Sequence, residues 1–343
     1  RRWPSGSEAS MGRPPPPRPP PSPPPARPAR SAPLAPTRAT SILLGPYILL
    51  FTDYWMLSVL GLVWFCYDWK THSQGGRRSR WIRSWSLWKC FRDYFPIRLV
   101  KTHDLDPGPN YLIANHPHGI FSYGVYCNFA TEATGFSRLF PGITPSLATL
   151  EGIFWIPLVR EYVMAKGVCP VSRSAIMHLL TRNGPGNAVV IVVGGASEAL
   201  LCRPGAASII LSRRKGFVRL ALCSGAHLVP SYSFGENNSH EQELYSEKSQ
   251  FGYWVQRAFK ELLGLSLCVF HGRGFTRRSW GLLPFNRPIT TVVGEPLPLP
   301  KVENPSQEMV DHYHGLYVAA LRRLFDRHKA QYGDSDAQEL TIL

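Results

Sequence analysis

The chain has 343 residues, which is enough for one large domain or two ordinary ones and excludes a disulfide-stapled miniprotein. Hydrophobic residues make up 44% of it, so a globally disordered protein is also excluded. The formal net charge of +15 indicates an anionic partner: a nucleic acid, a membrane surface or a phosphorylated substrate. Seven cysteines, spread singly without C-x-x-C or zinc-type spacing, predict reduced thiols in a cytosol-like compartment.

Residues 1–40 are rich in proline and arginine, with 14 of the 32 prolines, seven arginines and one glutamate. Proline lacks a backbone N–H and this stretch has little apolar surface to bury, so we expect a disordered or polyproline II tail. The sequence opens without methionine, and an artefact of gene prediction is one explanation of this tail. The tail carries +6 of the net charge, which leaves +9 on the rest of the chain.

A run of apolar residues from Ile42 to Tyr67 contains a single charge, at Asp53, and is long enough to cross a bilayer core. One straight span would bury Asp53 at a cost of several kcal/mol, whereas a turn at Asp53 divides the run into two short legs, Ile42–Thr52 and Tyr54–Tyr67. Basic residues on both sides favour a cytosolic location for both ends. We therefore expect a membrane-embedded hairpin over residues 41–68, with a single span or a buried core helix as alternatives. The basic residues that follow are Lys70, Arg77, Arg78, Arg80 and Arg83.

Residues 69–343 alternate between short β-rich runs and helical patterns. Arg213–Ser224 has helical spacing with Gly225 as a stop, and residues 305–329 form a second helical stripe whose start is predicted at Asn304-Pro305 with Gln307. Strands interleaved with helices predict an α/β sheet in one domain. The predicted strands are 111–114, 187–193, 227–234, 265–270 and 289–293.

Two histidines follow the first of these strands. His116 and His118 bracket Pro117 at a strand end, where α/β folds keep their ligand crevices. An H-x-H pair has three interpretations: metal ligands, a proton-transfer base, or structural histidines. The metal interpretation is disfavoured because the sequence shows no cluster of further ligands. The interpretations as a base and as structural histidines remain open.

A carboxylate lies at the corresponding end of another predicted strand. The strand at 187–193 ends in Gly194-Gly195, and Glu198 follows three residues later. Glu198 is a candidate to hold one imidazole tautomer and stabilise the imidazolium, as the acid of a hydrolase triad does. A plain carboxylate in the first turn of a helix is the alternative.

A basic cluster opens the predicted helix near residue 216. Cations beside the free N–H groups of a helix start predict a site for a phosphate-rich ligand, although a solvated basic face remains the alternative. The candidate residues are Arg213, Arg214, Lys215 and Arg219, with Arg173 as a further single cation.

Several fingerprints are absent from the sequence: G-x-x-x-x-G-K-[ST], G-x-G-x-x-G after a strand, H-E-x-x-H and G-x-S-x-G. Nucleotide hydrolysis, dinucleotide redox, zincin and serine-esterase functions therefore lack local support. The basic residues also lack RNA-binding aromatic signatures, so we predict a membrane partner and no nucleic acid.

Four blocks in order resemble the diacylglycerol acyltransferase type-2 family, which includes monoacylglycerol and wax-alcohol acyltransferases. They are Tyr94-Phe95-Pro96, the His-Pro-His-Gly of residues 116–119, the run 214–237 and HGRGF at 271–275. The resemblance implies an enzyme of the endoplasmic reticulum membrane, with its catalytic domain facing the cytosol. It also implies an α/β fold like that of glycerolipid acyltransferases: a mixed sheet flanked by helices, with an N-terminal membrane-embedded helical segment.

The resemblance implies roles for the candidate residues. His118, alone or with His116, would be the base, Gly119 would contribute backbone N–H groups for the oxyanion, and the basic cluster would hold the phosphates of acyl-CoA. Acyl-CoA is then a co-substrate, and neither a cofactor nor a metal is expected. The wider glycerolipid acyltransferases carry an aspartate five residues after the histidine, where this sequence has Phe121 or Tyr123, so Glu198 would have to serve.

The acceptor is a lipid alcohol, and diacylglycerol, giving triacylglycerol, is the one we favour. A wax alcohol or monoacylglycerol remains open, as does a homo-oligomeric state. Two rival functions are a non-catalytic scaffold on membranes or lipid droplets, and a thioesterase that uses water as the acceptor.

Overall fold

The computed structural model describes residues 51–343 except 244–253, 257, 259–267, 275–279 and 336. The predicted tail over residues 1–40 and most of the predicted first membrane leg lie outside the described residues, as does part of the predicted strand 265–270.

The helices whose bounds lie within the described ranges are α1 Trp55–Tyr67, α2 Arg80–Arg83, α3 Ser86–Tyr94, α4 Tyr123–Ala130, α5 Phe136–Leu139, α6 Val159–Ala165, α7 Arg173–Thr181, α8 Gly195–Ala199, α9 Gly216–Ser224 and α10 Gln307–Tyr332. Short 3-10 turns lie at Thr71–Gln74, Glu151–Trp155 and Glu236–Ser239. The described strands are β1 Arg98–Lys101, β2 Tyr111–His116, β3 Thr144–Thr149, β4 Val168–Pro170, β5 Asn187–Val192, β6 Ser208–Ile209, β7 His227–Phe234, β8 Glu241–Glu243, β9 Val269–Arg273, β10 Trp280–Gly281, β11 Thr290–Val293 and β12 Thr341–Ile342.

The central sheet has seven strands in the order β1-β11-β7-β2-β5-β3-β4. The five strands from β7 to β4 run parallel to one another, β11 runs antiparallel to β7, and β1 runs parallel to β11. The sheet is therefore mixed, and helices cover both faces. Because β7, β2 and β5 are parallel neighbours, their carboxyl ends lie at one edge, and the chain that follows each of them meets there.

Alternating side chains of β2 show how the sheet builds two apolar cores. Leu112 and Ala114 belong to the core that includes side chains of α7, α9 and α10, whereas Tyr111 and Ile113 belong to the core with α4, α5 and α6. All four side chains are buried. A strand buried on both faces reads as a continuous apolar run, which is why this strand was predictable from the sequence.

The predicted strands 111–114, 187–193, 227–234 and 289–293 are confirmed as β2, β5, β7 and β11. The helix predicted from Arg213 begins at Gly216, and Gly225 ends it in a left-handed conformation with φ of 72°, as expected. The predicted start of the last helix is wrong in its cap: Ser306 is the N-cap, and its hydroxyl oxygen accepts a hydrogen bond from the Met309 N–H.

Helix α1 lies within the segment Tyr54–Tyr67 that we predicted as the second leg of a hairpin, and the hairpin itself stays a prediction. Asp53 lies in the turn before this helix, as the two-leg alternative requires, so the alternative of one straight helix through Asp53 is wrong. The core-helix alternative is also wrong, because Ser58 is the one buried residue of α1. Within the described part of the chain, no helix combines the length and the apolar character that a bilayer crossing requires.

The C-terminal end of α1 is attached to the sheet domain by charged groups. The buried Asp68 pairs with Arg77 at 2.6 Å and with the buried Arg160 at 2.9 Å. Arg160 also lies over the ring of Phe65, and the Trp69 ring meets that of Trp155 edge-on at 5.9 Å. These contacts fix the C-terminal end of α1 to the sheet domain.

Candidate active site

The two predicted histidines and Glu198 come together at the carboxyl edge of the parallel strands. His116 is the last residue of β2 and lies beside Tyr232 of β7, while Asn115 lies beside Val192 of β5. The chain after β2 carries His118, the chain after β5 carries Glu198, and the chain after β7 carries Glu236. Parallel pairing therefore brings the turn at His118 and Gly119 together with two carboxyl groups that are 80 and 118 residues away from His118 along the chain.

The ring of His118 contacts a backbone carbonyl. Its Nδ1 lies 2.9 Å from the carbonyl oxygen of Gly119. A carbonyl oxygen only accepts, so Nδ1 carries the proton and Nε2 is left with its lone pair. Burial lowers the pKa of His118, with the Gly119 contact opposing the shift. The ring is therefore neutral near pH 7, in the tautomer that can act as a base through Nε2.

Glu198 contacts the backbone of His118, which differs from the predicted contact with an imidazole. One carboxylate oxygen accepts a hydrogen bond from the His118 N–H at 2.5 Å, and the other accepts one from the Ile210 N–H at 2.8 Å. Burial raises the pKa of Glu198 to about 7. Glu198 thus holds the His118 peptide in place, and the triad-like contact that we predicted with the ring is taken by the Gly119 carbonyl.

The glycine pair before Glu198 has a steric reason. A Cβ at Gly194 would lie 1.9 Å from the Glu198 carboxylate oxygen. Any side chain at Gly194 would therefore displace the carboxylate, because real Cβ atoms do not approach this closely.

His116, the last residue of β2, is shielded from solvent. Its side chain is fully buried, and its Nε2 lies 3.2 Å from the Tyr317 hydroxyl of α10. Since that hydroxyl donates its proton to the Ala114 carbonyl at 2.9 Å, Nε2 of His116 is the donor in the first contact. Burial lowers the pKa of His116 to about 3, so the ring is neutral. These contacts connect β2 to α10 and keep the ring from solvent.

The basic residues border the same edge through Arg214, which donates to the Ser197 hydroxyl at 3.1 Å, next to Glu198. Other members of the predicted cluster bind within the protein: Lys215 pairs with Asp311 at 2.7 Å, and Arg219 donates to the Pro305 carbonyl. Arg213 is exposed, and so is Arg173 at the start of α7. The phosphate-site role of these five residues stays a prediction.

Sequence reasoning missed Glu236 and a group of aromatic rings around Phe121. Glu236 follows β7 just as Glu198 follows β5, so the same argument from strand ends would have found it. Phe121 is half exposed, and its ring lies 5.2 Å from that of Phe270 and 5.6 Å from that of His240. These rings line the chain that follows Gly119.

The sequence matches the Diacylglycerol acyltransferase family over residues 47–343. It is 65% identical to human Diacylglycerol O-acyltransferase 2-like protein 6 over 89% of this chain and 91% of that protein. It is 57% identical to human Acyl-CoA wax alcohol acyltransferase 1 over 86% of this chain and 89% of that protein.

Among solved structures, the chain is similar to the 1-acyl-sn-glycerophosphate (LPA) acyltransferase PlsC from Thermotoga maritima, with a TM-score of 0.39 and 11% identity. The match covers 86% of this chain and 93% of that one. The family match spans the whole sheet domain, including the residues around His118. The chain belongs to the diacylglycerol acyltransferase family and is an enzyme of the acyltransferase class.

Proposed function

We propose that the protein transfers a fatty acyl chain from acyl-CoA to the hydroxyl group of a lipid alcohol, with diacylglycerol as the favoured acceptor and triacylglycerol as the product. The observation that carries this proposal is the neutral ring of His118, whose Nδ1–H is bound by the Gly119 carbonyl so that Nε2 can accept a proton. The names of the relatives support acyl transfer to both diacylglycerol and wax alcohols.

In the proposed reaction, Nε2 of His118 removes the proton of the acceptor hydroxyl as its oxygen attacks the thioester carbonyl of acyl-CoA. Backbone N–H groups near Gly119 stabilise the resulting oxyanion. The tetrahedral intermediate then expels the CoA thiolate, which takes the proton from the imidazolium. The products are the lipid ester and CoA with a free thiol, and no acyl-enzyme forms. We assign no proton transfer to His116, because its ring is buried against Tyr317.

We propose that the phosphates of acyl-CoA bind near the start of α9. Support comes from Arg214, which donates a hydrogen bond to the hydroxyl of Ser197. Ser197 precedes Glu198, so this contact brings the basic cluster close to the residue that binds the His118 N–H. The exposed Arg213 adds a cation on the adjoining residue, and the helix N-terminus adds its positive dipole end. The apolar rings of Phe121 and Phe270 would contact the acyl chain.

We propose that α1 is embedded in the endoplasmic reticulum membrane and that the sheet domain faces the cytosol. Apolar side chains of α1 are exposed on several sides of the helix, among them Leu57, Leu60 and Val63, each at least 60% exposed. Exposed apolar residues of the neighbouring segment, Ile156 and Leu158, extend this surface. Such a surface is large for a water-exposed face and suits the acyl region of a bilayer, from which a lipid acceptor could enter laterally.

A charge on α1 should weaken membrane binding. We expect the double variant Leu60→Asp/Val63→Asp to bind phosphatidylcholine vesicles at least about tenfold more weakly than the wild type in a flotation assay, because burial of each aliphatic side chain contributes roughly 1.5–3 kcal/mol. Leu316→Asp is the matched control, since Leu316 is 43% exposed on α10. Equal loss of binding by both variants, or no loss by either, would contradict the assignment.

An acceptor panel tests the proposed function. Membranes containing the protein, incubated with labelled acyl-CoA and either diacylglycerol, monoacylglycerol or a fatty alcohol, should form ester, with triacylglycerol as the largest product. Wax ester as the largest product would show that a fatty alcohol is the preferred acceptor, and the proposed acyl transfer would still stand. Ester formation from none of the alcohols would refute the proposal: free fatty acid alone would identify a thioesterase, and no product at all would favour a scaffold.

A further inference from the structure

Glu236 is a buried carboxyl group that the proposed mechanism does not use. It follows β7, is 1% exposed and opens the 3-10 turn Glu236–Ser239. Within the described ranges no ion pair reaches it. A buried carboxyl group without a cation is costly to keep, so its contacts need an explanation.

The carboxyl group of Glu236 binds the start of α4, the helix that follows the His118 turn. The N–H of Gly124 donates to its two oxygens at 3.0 and 3.3 Å. The first N–H groups of a helix have no partner within the helix, so Glu236 satisfies a donor that would otherwise be orphaned. Glu236 thereby fixes where the helix begins after the turn.

The side chain of Glu236 also packs directly on the peptide that holds His118. A Cβ at Gly119 would lie 2.8 Å from Cγ of Glu236, and the φ angle of Gly119 is +61°. Glycine is therefore required here for both space and conformation. The Gly119 carbonyl, which this close packing locates, is the group that accepts the Nδ1–H of His118.

The turn is held from its other sides as well. Glu198 accepts the His118 N–H, and the Ser122 hydroxyl donates to the His118 carbonyl at 2.6 Å. Glu236 is the contact that locates Gly119 from the β7 side. Displacement of Glu236 would therefore act on the imidazole through Gly119, with Glu198 still in place.

From these contacts we infer that Glu236 is a positioning residue for acyl transfer: by packing on Gly119 and binding the Gly124 N–H, it holds the Gly119 carbonyl where it selects the Nδ1–H tautomer of His118. This inference rests on the proposed function of His118 as the base. Glu236 acts as a neutral group, since burial raises its pKa to about 8. The titratable groups that face it are neutral too: Tyr123 and Cys127 on α4, and Cys202, whose pKa values burial also raises.

Three substitutions test the inference. Glu236→Gln keeps the length, the neutrality and one oxygen to accept the Gly124 N–H, and we expect it to retain at least about a third of the wild-type kcat. Glu236→Ala removes both the Cγ that packs on Gly119 and the acceptor of the Gly124 N–H, and we expect kcat to fall about 10- to 100-fold with KM for acyl-CoA little changed, because misplacement of a catalytic group by about 1 Å costs up to 10²-fold. Glu236→Asp keeps a Cγ at Gly119 but draws the carboxyl group back from the Gly124 N–H, so we expect its kcat to lie between those of Glu236→Gln and Glu236→Ala. Glu303→Ala, which removes an exposed carboxylate, is the control and should match the wild type.

The second readout does not depend on turnover. Diethyl pyrocarbonate modifies the unprotonated imidazole, so the pH dependence of His118 modification, followed by mass spectrometry, reports the pKa of this ring. The Gly119 contact favours the protonated ring. In Glu236→Ala we therefore expect the midpoint to move to lower pH, and in Glu236→Gln to stay at the wild-type value.

The outcomes separate the two proposals. A folded Glu236→Ala protein with wild-type kcat and wild-type modification midpoint would overturn the positioning role, and so would Glu236→Gln that is as impaired as Glu236→Ala. A lower melting temperature with unchanged kcat and midpoint would reduce Glu236 to a structural residue. If the wild type forms no ester while the midpoint still moves, the proposed function fails and the contact stands.

Discussion

Replacing His118 by alanine should lower ester formation about 10²–10⁴-fold, the usual contribution of a general base. The Nε2 atom that would take the hydroxyl proton is lost, whereas the helices and the sheet keep their contacts because the His118 side chain is partly exposed at the edge of the site. Initial rates with labelled acyl-CoA and the preferred acceptor measure the effect. Vesicle binding, measured on the same samples, should stay at the wild-type level.

The control for this variant is His103→Ala, because His103 is 41% exposed after β1 and belongs to no part of the site. It should keep wild-type activity. Turnover in His118→Ala within about threefold of wild type would refute the assigned base.

The role of His118 as a base also predicts the direction in which the wild-type rate changes with pH. Burial lowers the pKa of His118 below the ordinary 6.5. The base is active when unprotonated, so the rate should rise with pH through that lowered pKa and be level by pH 7. An acid limb with its midpoint above 6.5 would contradict the neutral, Gly119-bound ring.

Replacing Glu198 by alanine should cost both activity and stability. The N–H groups of His118 and Ile210 would lose their acceptor in a buried place, at roughly 1–3 kcal/mol for each. The released His118 peptide would misplace the imidazole, and we expect kcat to fall about 10²-fold. Glu198→Gln should be intermediate, because its amide oxygen can accept from one of the two N–H groups while its NH₂ faces the other.

The same residue makes stability depend on pH. Burial raises the pKa of Glu198 from 4.5 to about 7, so the folded state binds more protons than the unfolded state between these values. The contribution of Glu198 to stability should therefore fall as the pH rises through this window, by on the order of 3 kcal/mol. Glu236, with its pKa raised to about 8, adds a slope of the same sign. His116 and His118, whose pKa values burial lowers, contribute a slope of the opposite sign below about pH 6.5.

Melting temperatures of detergent-solubilised protein between pH 5 and 8 measure this slope. Between pH 5 and 8 the melting temperature of the wild type should fall more, or rise less, than that of Glu198→Gln, which cannot titrate. The slope should be unchanged in Glu303→Gln, where the lost carboxylate is exposed. Equal slopes in wild type and Glu198→Gln would show that Glu198 does not titrate in this window. Wild-type kcat in Glu198→Ala would remove it from the positioning of His118.

The central strands of the sheet could be predicted from the sequence because they are buried on both faces. In β2 and β5, continuous apolar runs follow from that burial. Strand β7 is buried over nearly its whole length, although its sequence also includes serines and a proline. The strand β3, Thr144–Thr149, was missed: its residues include Pro145 and Ser146, and it is a strand because β5 and β4 pair with it on either side. The residues of a short segment do not by themselves show which other strands will pair with it.

By itself the sequence determined that a histidine pair lies at a strand end, that a carboxylate follows a second strand, and that an apolar helix precedes the domain, because each of these is a property of adjacent residues. Only the tertiary structure decided which groups contact the ring and the backbone of His118. Parallel pairing of β2 with both β5 and β7 brings Glu198 and Glu236 to opposite sides of one turn. The Gly119 carbonyl then binds the ring and Glu198 binds the backbone, since the direction in which each group points depends on how the packed strands and helices meet.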